Sequence, residues 1–558
     1  MKRLLIILLF CWLLPFSSMA VQPGTIAPDV QGVLETAAPG DEIAVIVTLT
    51  DRVNPAAFKD LNKSERRGKL VSALKNKARQ TQGQLIAFLQ KNGARQLKSF
   101  WIFNGLAIKA KADVIHALAE RSEVDSIRLD DTLKAPRVNT AASAPPEWNL
   151  DAVRVPELWD MGYTGIGTVI ASMDTGVDYL HPDLNISWRG GGNSWFDPNG
   201  EHATPYDVDG HGTQTMGIMV GSDAGGSTIG MAPGALWIAV KIFNDAGVAP
   251  YSSIHQGYQW LLDPDNNAQT DDAPDIVNNS WGLRTGVNEC ITEFQADIEV
   301  LKAAGIGVVF SAGNEGPNPE TSVSPANYPQ SFATGAVDSD FNVASLSSRG
   351  PSTCDGDIFP ELVAPGIGIR SSDLTLGGVF PDSYKTVSGT SFAAPHVSSA
   401  LALLISAFPD KSIAELEQAM KDSAYDLGQY DPDNDYGYGM LDIAAAYALL
   451  QNPTGCTDAD ADGFYAEANC GTVVDCQDLD ATINPAACDI KRDGIDQNCD
   501  GVDRTRGKTC SDQTSDGGGS TTGGSEGKGN TCSDGLDNDG DGQTDCSDSD
   551  CAKNKSCR

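Results

Sequence analysis

The sequence predicts an α/β fold for residues 147–452, a mostly parallel sheet covered by helices, preceded by a small α+β unit and followed by a disulfide-rich, Asp-rich tail. Three observations carry this. Strand-length apolar runs alternate with helix-length segments between residues 168 and 311, the pattern that gives parallel sheets with helical layers. Residues 42–129 hold a self-contained order of strand, helix, strand, strand, helix, strand. Beyond Asn452-Pro453-Thr454-Gly455, large apolar residues become scarce and Asp and Cys abundant. Such a tail lacks a self-sufficient core and relies on disulfides or metals.

The 558 residues carry a formal net charge of −36. Phosphate recognition needs an excess of Lys and Arg, so no nucleic-acid partner is expected. Met1-Lys2-Arg3, the apolar run from Leu4 to Leu14, and Ser18-Met19-Ala20 make residues 1–20 a secretory signal by pattern. No later stretch is long enough to span a bilayer, so a secreted protein without a transmembrane anchor is expected. Setting aside Cys11 in the signal leaves twelve of the 13 cysteines, and an even number in an exported chain reads as disulfides. A Cys290–Cys354 pair is expected, whereas the pairing of the ten cysteines from Cys456 to Cys557 stays open.

In chain order, residues 42–50 read as a strand. Residues 62–91, rich in Lys, Arg and Gln, carry Leu70, Leu74, Ala78, Leu85, Phe88 and Leu89 at helical intervals. A hairpin follows over 95–102 and 105–110, then a helix over 112–120 and a strand over 124–129. Residues 136–146 are Ala, Ser, Thr and Pro without periodicity, which predicts an exposed linker. Residues 168–173 form an almost unbroken apolar run, a buried strand. Strands at 238–243, 275–280 and 306–311 alternate with helices at 254–262 and 294–304, and a last helix ends at Leu450.

Three windows carry chemistry. Asp174-Thr175-Gly176 ends the 168–173 strand, where open α/β sheets place their sites. Asp209-Gly210-His211-Gly212-Thr213 precedes an apolar run through Met216, Ile218, Met219 and Val220 that suits a helix. Ser388-Gly389-Thr390-Ser391-Phe392-Ala393-Ala394-Pro395-His396 places a serine where a tight loop enters a helix, among N–H groups that favour an anion. That last window alone would also serve a capped helix; the order carboxylate, imidazole, hydroxyl argues for a nucleophile. His396 shares the serine's helix, His181 lies in a turn and His116 in the N-terminal unit; only His211, flanked by glycines before an apolar run, has the setting expected of the base.

These windows resemble the signatures of the subtilase (subtilisin-like) serine peptidases, in register over residues 146–450. The resemblance implies a subtilisin-like fold and a serine endopeptidase acting on proteins or peptides, with Asp174, His211 and Ser391 as catalytic triad. Asn314, in Ser311-Ala312-Gly313-Asn314, matches the family's oxyanion donor. Asn279-Ser280-Trp281-Gly282 resembles the strand edge that pairs extended substrates, which makes Ser280, Trp281, Gly282 and Gly313 substrate-binding candidates. Trp281 suits a pocket wall and a core position alike. Residues 21–135 resemble the inhibitor-type propeptide. That implies a zymogen whose own basic propeptide complements an acidic enzyme surface, occupies the cleft as intramolecular inhibitor, and is cut near the linker.

The tail repeats alternate oxygen ligands followed by glycine three times, a spacing suited to calcium. The candidate ligands are Asp458, Asp460, Asp462, then Asp496, Asn498, Asp500, then Asp537, Asp539, Asp541. The twelfth positions, Asn469, Gly507 and Asp548, depart from the usual Glu. Residues 456–503 resemble a metal-binding repeat of bacterial surface and secreted proteins, and 531–551 a short Asp/Asn/Cys repeat. The expected division is 453–512, a linker over 513–530, and 531–558. An alternative reading makes this tail the main functional part, contacting a cell surface or matrix.

Overall fold

The computed structural model describes residues 24–59, 61–136, 139–140, 147–375, 383–428, 432–452 and a few positions between 476 and 499. The expected signal and all the tail's candidate calcium ligands except Asn498 lie outside the described residues. The chain divides into two units, 1–451 and 452–558.

The N-terminal region contains β1 (Thr25–Ile26), α1 (Pro28–Thr36), β2 (Glu42–Leu49), α2 (Lys63–Lys91), β3 (Arg95–Phe100), β4 (Gly105–Lys111), α3 (Ala112–Ala119) and β5 (Val124–Leu129). Its sheet runs β1-β5-β2-β4-β3, and the six expected elements appear in the expected order. α1 is additional. Only Val30 of its nine residues is buried, too little periodicity to read as a helix. The Asn62 side chain caps α2 by accepting from Glu65 N–H. Along α2, Leu85 and Leu89 enter the unit's own core. Leu70, Val71 and Leu74 join Phe100 and Phe103 in a cluster shared with Ile254, Tyr258 and Leu261 of the following segment.

Two short strands come next, β6 (Thr132–Lys134) and β7 (Asn139–Thr140). Then α4 (Trp148–Ala152) and α5 (Val155–Asp160) lead into β8 (Val169–Asp174), β9 (Trp195–Phe196), α6 (His211–Val220) and β10 (Leu236–Lys241). β11 (Val248–Pro250), α7 (Tyr251–Leu262), β12 (Ile276–Asn279), α8 (Gln295–Ala303), β13 (Gly307–Ser311), β14 (Phe332–Val337) and β15 (Leu362–Pro365) follow. The last elements are β16 (Ile367–Ser372), β17 (Tyr384–Ser388), α9 (Thr390–Ala407), α10 (Ile413–Asp422) and α11 (Ile443–Gln451).

Seven strands form one parallel sheet, ordered β15-β14-β13-β12-β8-β10-β9. The order reverses at β8, which has β10 on one side and β12 on the other, and ligands bind outside the C-terminal strand ends at such a point. One apolar layer holds Met216, Met219, Val397, Leu401, Leu404 and Ile443. The other is built around α7 and α8, with Ile298 and Leu301 joining the shared cluster. α9 is long and apolar enough to cross a membrane, but 83% of it is buried, which makes it the core helix.

β6 pairs antiparallel with β11, and β7 pairs with β17. Asn139–Thr140 thus has ladder pairing inside the stretch expected to be an irregular linker, because backbone groups of a distant strand, not side-chain periodicity, set it. Basic residues of the N-terminal region meet acidic ones beyond: Lys63 with Asp275, Arg67 with Asp271, Lys75 with Asp263 and Arg128 with Glu293. Cys290 is joined to Cys354, and in the second unit Cys476 to Cys499. The first bridge closes 64 residues, worth about 4 kcal/mol by loop-closure entropy. The Cys290→Ser/Cys354→Ser variant is expected to melt several degrees lower by calorimetry; an unchanged melting temperature would refute this contribution.

Candidate active site

Asp174 ends β8, His211 opens α6 and Ser391 is the second residue of α9. All three are buried. His211 Nδ1 lies 2.7 Å from Asp174 Oδ1, which also accepts from Thr175 N–H at 2.7 Å. Several groups hold this contact. Asp207 accepts from Asp209 and Gly210 N–H through one oxygen, and from Thr213 N–H and Oγ1 through the other, all at 2.7–3.0 Å. It thereby fixes the entry of α6. Any Cβ on Gly212 would lie 2.1 Å from the Gly176 carbonyl, so only glycine lets α6 press against the turn after β8. Gly176 itself has φ +117°, a region closed to most side chains. Buried Lys241, at the end of β10, donates to the carbonyls of Thr175 at 3.0 Å and Phe243 at 2.8 Å.

Burial disfavours a charged His211, but the charge and hydrogen bond of Asp174, followed by Asp209 and Asp207, outweigh it and raise its pKa above the usual histidine value. Nδ1–H facing Asp174 makes Nε2 the acceptor. His211 Nε2 and Asp174 Oδ2 are buried without a hydrogen-bond partner. Ser391 Oγ donates to the Ser280 carbonyl at 3.2 Å instead. The Phe392 ring, next in the chain to Ser391, lies 5.5 Å from the His211 ring, and a hydroxyl–imidazole bond in such sites often tightens only when substrate is present.

The helix that carries Ser391 contains Pro395. Proline has no N–H, so the Ser391 carbonyl four residues earlier loses its helical donor. Ser280 Oγ replaces it at 2.7 Å. Asn278 Nδ2 donates to Ser280 Oγ at 2.9 Å, and Asn278 Oδ1 accepts from Ser398 Oγ at 3.0 Å. The end of β12 is therefore tied to the start of α9. Asn314 Oδ1 accepts from Thr390 N–H at 3.0 Å and Thr390 Oγ1 at 2.9 Å. Those donors fix the orientation of the carboxamide and leave Nδ2 for another acceptor.

Ser280, Trp281, Gly282, Gly313, Asn314 and Ser391 line one cavity of about 30 Å³, together with Lys134 and Pro136 from the N-terminal side. That is room for roughly one or two waters. The expected substrate-binding residues thus converge, and part of the chain already stands among them. Leu133 pairs with Ala249 and Lys134 with Val248, and Ala135 N–H donates to the Gly247 carbonyl at 2.8 Å. Residues 132–136 lie as an extended peptide would against a strand edge. The Trp281 side chain is packed in the core, edge-on to Phe294 and Phe310 at 5.9 and 5.5 Å, while the residue still borders the cavity.

Three other histidines have settings unlike that of His211. His396 donates from Nδ1 to the Phe392 carbonyl and accepts from Asn149 Nδ2, both at 2.9 Å, and burial lowers its pKa to about 4. Burial also lowers the pKa of His181. His255 was not singled out from sequence, yet it forms a second buried imidazole–carboxylate pair, with Asp297 at 2.9 Å and Glu293 at 3.2 Å. Against the effect of burial, those carboxylates raise its pKa to about 10. Both ring nitrogens are taken, so it has no lone pair for a substrate proton. Asp207 and Lys241 were also missed. The spacing Asp207-x-Asp209-Gly210-His211 offered a turn-capping signal for the first, whereas nothing local marks a strand-end lysine as buried.

The subtilase family model matches residues 165–439. The chain is 35% identical over 428 residues to bacillopeptidase F of Bacillus subtilis (strain 168), covering 70% of this chain and 29% of that protein. It is 32% identical over 361 residues to subtilisin E of the same strain, covering 64% of this chain and 84% of the relative. It is 34% identical over 309 residues to subtilisin of Bacillus pumilus, covering 55% and 99%. The match thus spans less than a third of bacillopeptidase F and most of the two subtilisins.

Ser280→Ala, on the Ser391→Ala background, is expected to cost about 1–3 kcal/mol because it leaves the buried residue-391 carbonyl without a donor. Adding Pro395→Ala restores the helical N–H and should recover part of that loss in denaturant unfolding. Full stability of the Ser280→Ala variant would refute the proline-replacement account.

Proposed function

Because the chain belongs to the subtilase family of serine endopeptidases, we propose that it is an exported zymogen in which Ser391 attacks the scissile carbonyl of protein substrates. His211 takes the hydroxyl proton and returns it to the leaving amine, and Asp174 orients the imidazole and stabilises its charged form. Asn314 Nδ2 and the Ser391 N–H receive the oxyanion. The observation that carries this reading is the buried 2.7 Å His211–Asp174 bond beside Ser391, at the reversal of strand order.

Residues 21–135 act as the prosegment and inhibitor in this reading. It is supported by the β6–β11 ladder, by Pro136 at the Ser391 cavity, and by the basic-to-acidic pairing along α2. Cutting falls within 136–146, after which the N-terminal unit remains a competitive occupant of the cleft. Export rests on the signal-like residues 1–20. Calcium binding by the tail rests on the Asp spacing alone.

Intact mass and N-terminal sequencing test the zymogen. Wild type should lose the segment before about residue 147, while Ser391→Ala keeps it; retention by both would overturn self-processing. Asn314→Ala should lower kcat by about 10²–10³, a magnitude carried over from subtilisin, with KM little changed. kcat/KM should fall as pH drops through the raised His211 pKa, since the base is then protonated. Asp209→Asn removes a charge that raises this pKa, so the acid limb should move to lower pH; an unmoved limb would exclude that coupling.

A further inference from the structure

The loop between α7 and β12 carries chemistry that the triad does not use. It reads Asp263-Pro264-Asp265-Asn266-Asn267-Ala268-Gln269-Thr270-Asp271-Asp272, with oxygen side chains at alternate positions 263, 265 and 267. Carboxylate oxygens of Asp263, Asp265 and Asp272 lie within 4.8 Å of one another. Asp263 is only 6% exposed, and its Oδ1 has no hydrogen-bond partner. A buried carboxylate oxygen without a partner is costly. Its Oδ2 takes the ammonium of Lys75, which also donates to Asn266 Oδ1 at 2.7 Å. A cation therefore already stands at this cluster, and it comes from α2.

One ammonium does not exhaust the site. Three carboxylates and neighbouring carboxamides are the donors of a hard divalent cation, which takes six to eight oxygens. The other positive charge at the loop, Arg189, donates to the backbone carbonyls of Asp272 and Asn193, not to the carboxylates. Asp272 Oδ2 accepts from Asp265 N–H and Asn193 Nδ2, both at 3.0 Å. Lys63 and Arg67 pair farther along, with Asp275 and Asp271.

We propose that Asp263, Asp265 and Asp272 form a calcium site masked by Lys75, so that calcium and α2 compete for the same carboxylates. The competition is reciprocal: calcium weakens the hold of α2 by the factor by which α2 weakens calcium binding. Exchange of Lys75 for calcium when the N-terminal unit departs rests on the zymogen reading above; the masked site does not.

The test uses the full chain on the Ser391→Ala background, so a failed result bears on the cation site and leaves the triad and processing reading untouched. Calcium calorimetry compares that parent with Lys75→Ala and with Lys75→Ala/Asp265→Asn, since Asp265 is exposed and its change spares the core. Lys75→Ala should add one calcium per chain, bound at least about tenfold more tightly than the parent binds any ion at this loop. Terbium as a second probe should gain tryptophan-sensitised emission, because the Trp101 ring lies 5.3 Å from Lys75 Nζ. Lys75→Met, which keeps the apolar stem, should reproduce the gain, and Asp265→Asn should abolish it. Unchanged stoichiometry and affinity in both Lys75 variants, or a gain that survives Asp265→Asn, would overturn the proposal.

Discussion

The buried hydrogen bond between Asp174 and His211 is the contact on which the arrangement of this molecule depends. Its partners lie 37 residues apart, one at the end of a strand and one at the start of a helix, in a water-poor site where charge interactions are strong. For the 2.7 Å contact to form, α6 must press against the turn after β8. Gly176 and Gly212 make room, Asp207 pins the helix entry, and Lys241 holds the turn through the Thr175 carbonyl. Each of these residues is explained by that one approach. The same burial leaves Asp174 Oδ2 and His211 Nε2 without partners, whereas both ring nitrogens of His255 are bonded.

A second constraint joins Ser391 to the end of β12. Pro395 removes one bond from α9, and Ser280 restores it from the end of β12. The backbone that carries Ser391 and the strand end that borders the cavity are therefore tied together. Asn314, clamped by Thr390, belongs to the same piece. In the proposed mechanism, a carboxamide held this way costs no rearrangement when charge develops.

The N-terminal unit is held by two kinds of force with different ranges. Leu70, Leu74, Phe100 and Phe103 bury against Ile254 and Tyr258, a short-range apolar contact. Lys63, Arg67 and Lys75, about one and then two turns apart along α2, meet Asp275, Asp271 and Asp263. The strongly negative chain thus directs its basic helix toward one acidic loop, where electrostatic complementarity sets register more than affinity.

Asp174, His211, Ser391 and Asn314 were legible in the sequence because each lies in a short window whose cause is local: a strand end, a glycine-flanked turn or a loop entering a helix. The long helix α2 and the strand β5 were legible from their periodicity. Other features had no local trace. α1 buries a single side chain, β7 exists through pairing with β17, and Lys241 is buried only because β10 ends beside the turn after β8. His255 looked unremarkable until α7 and α8 brought it to Asp297. Sequence by itself determined the fold class, the windows that hold Asp174, His211 and Ser391, and the turns that present them, since backbone preference and hydrophobic periodicity act over a few residues. Tertiary structure alone decided which groups meet, because bonds such as Ser280 to Ser391, 111 residues apart, exist only once the sheet has been assembled and water excluded.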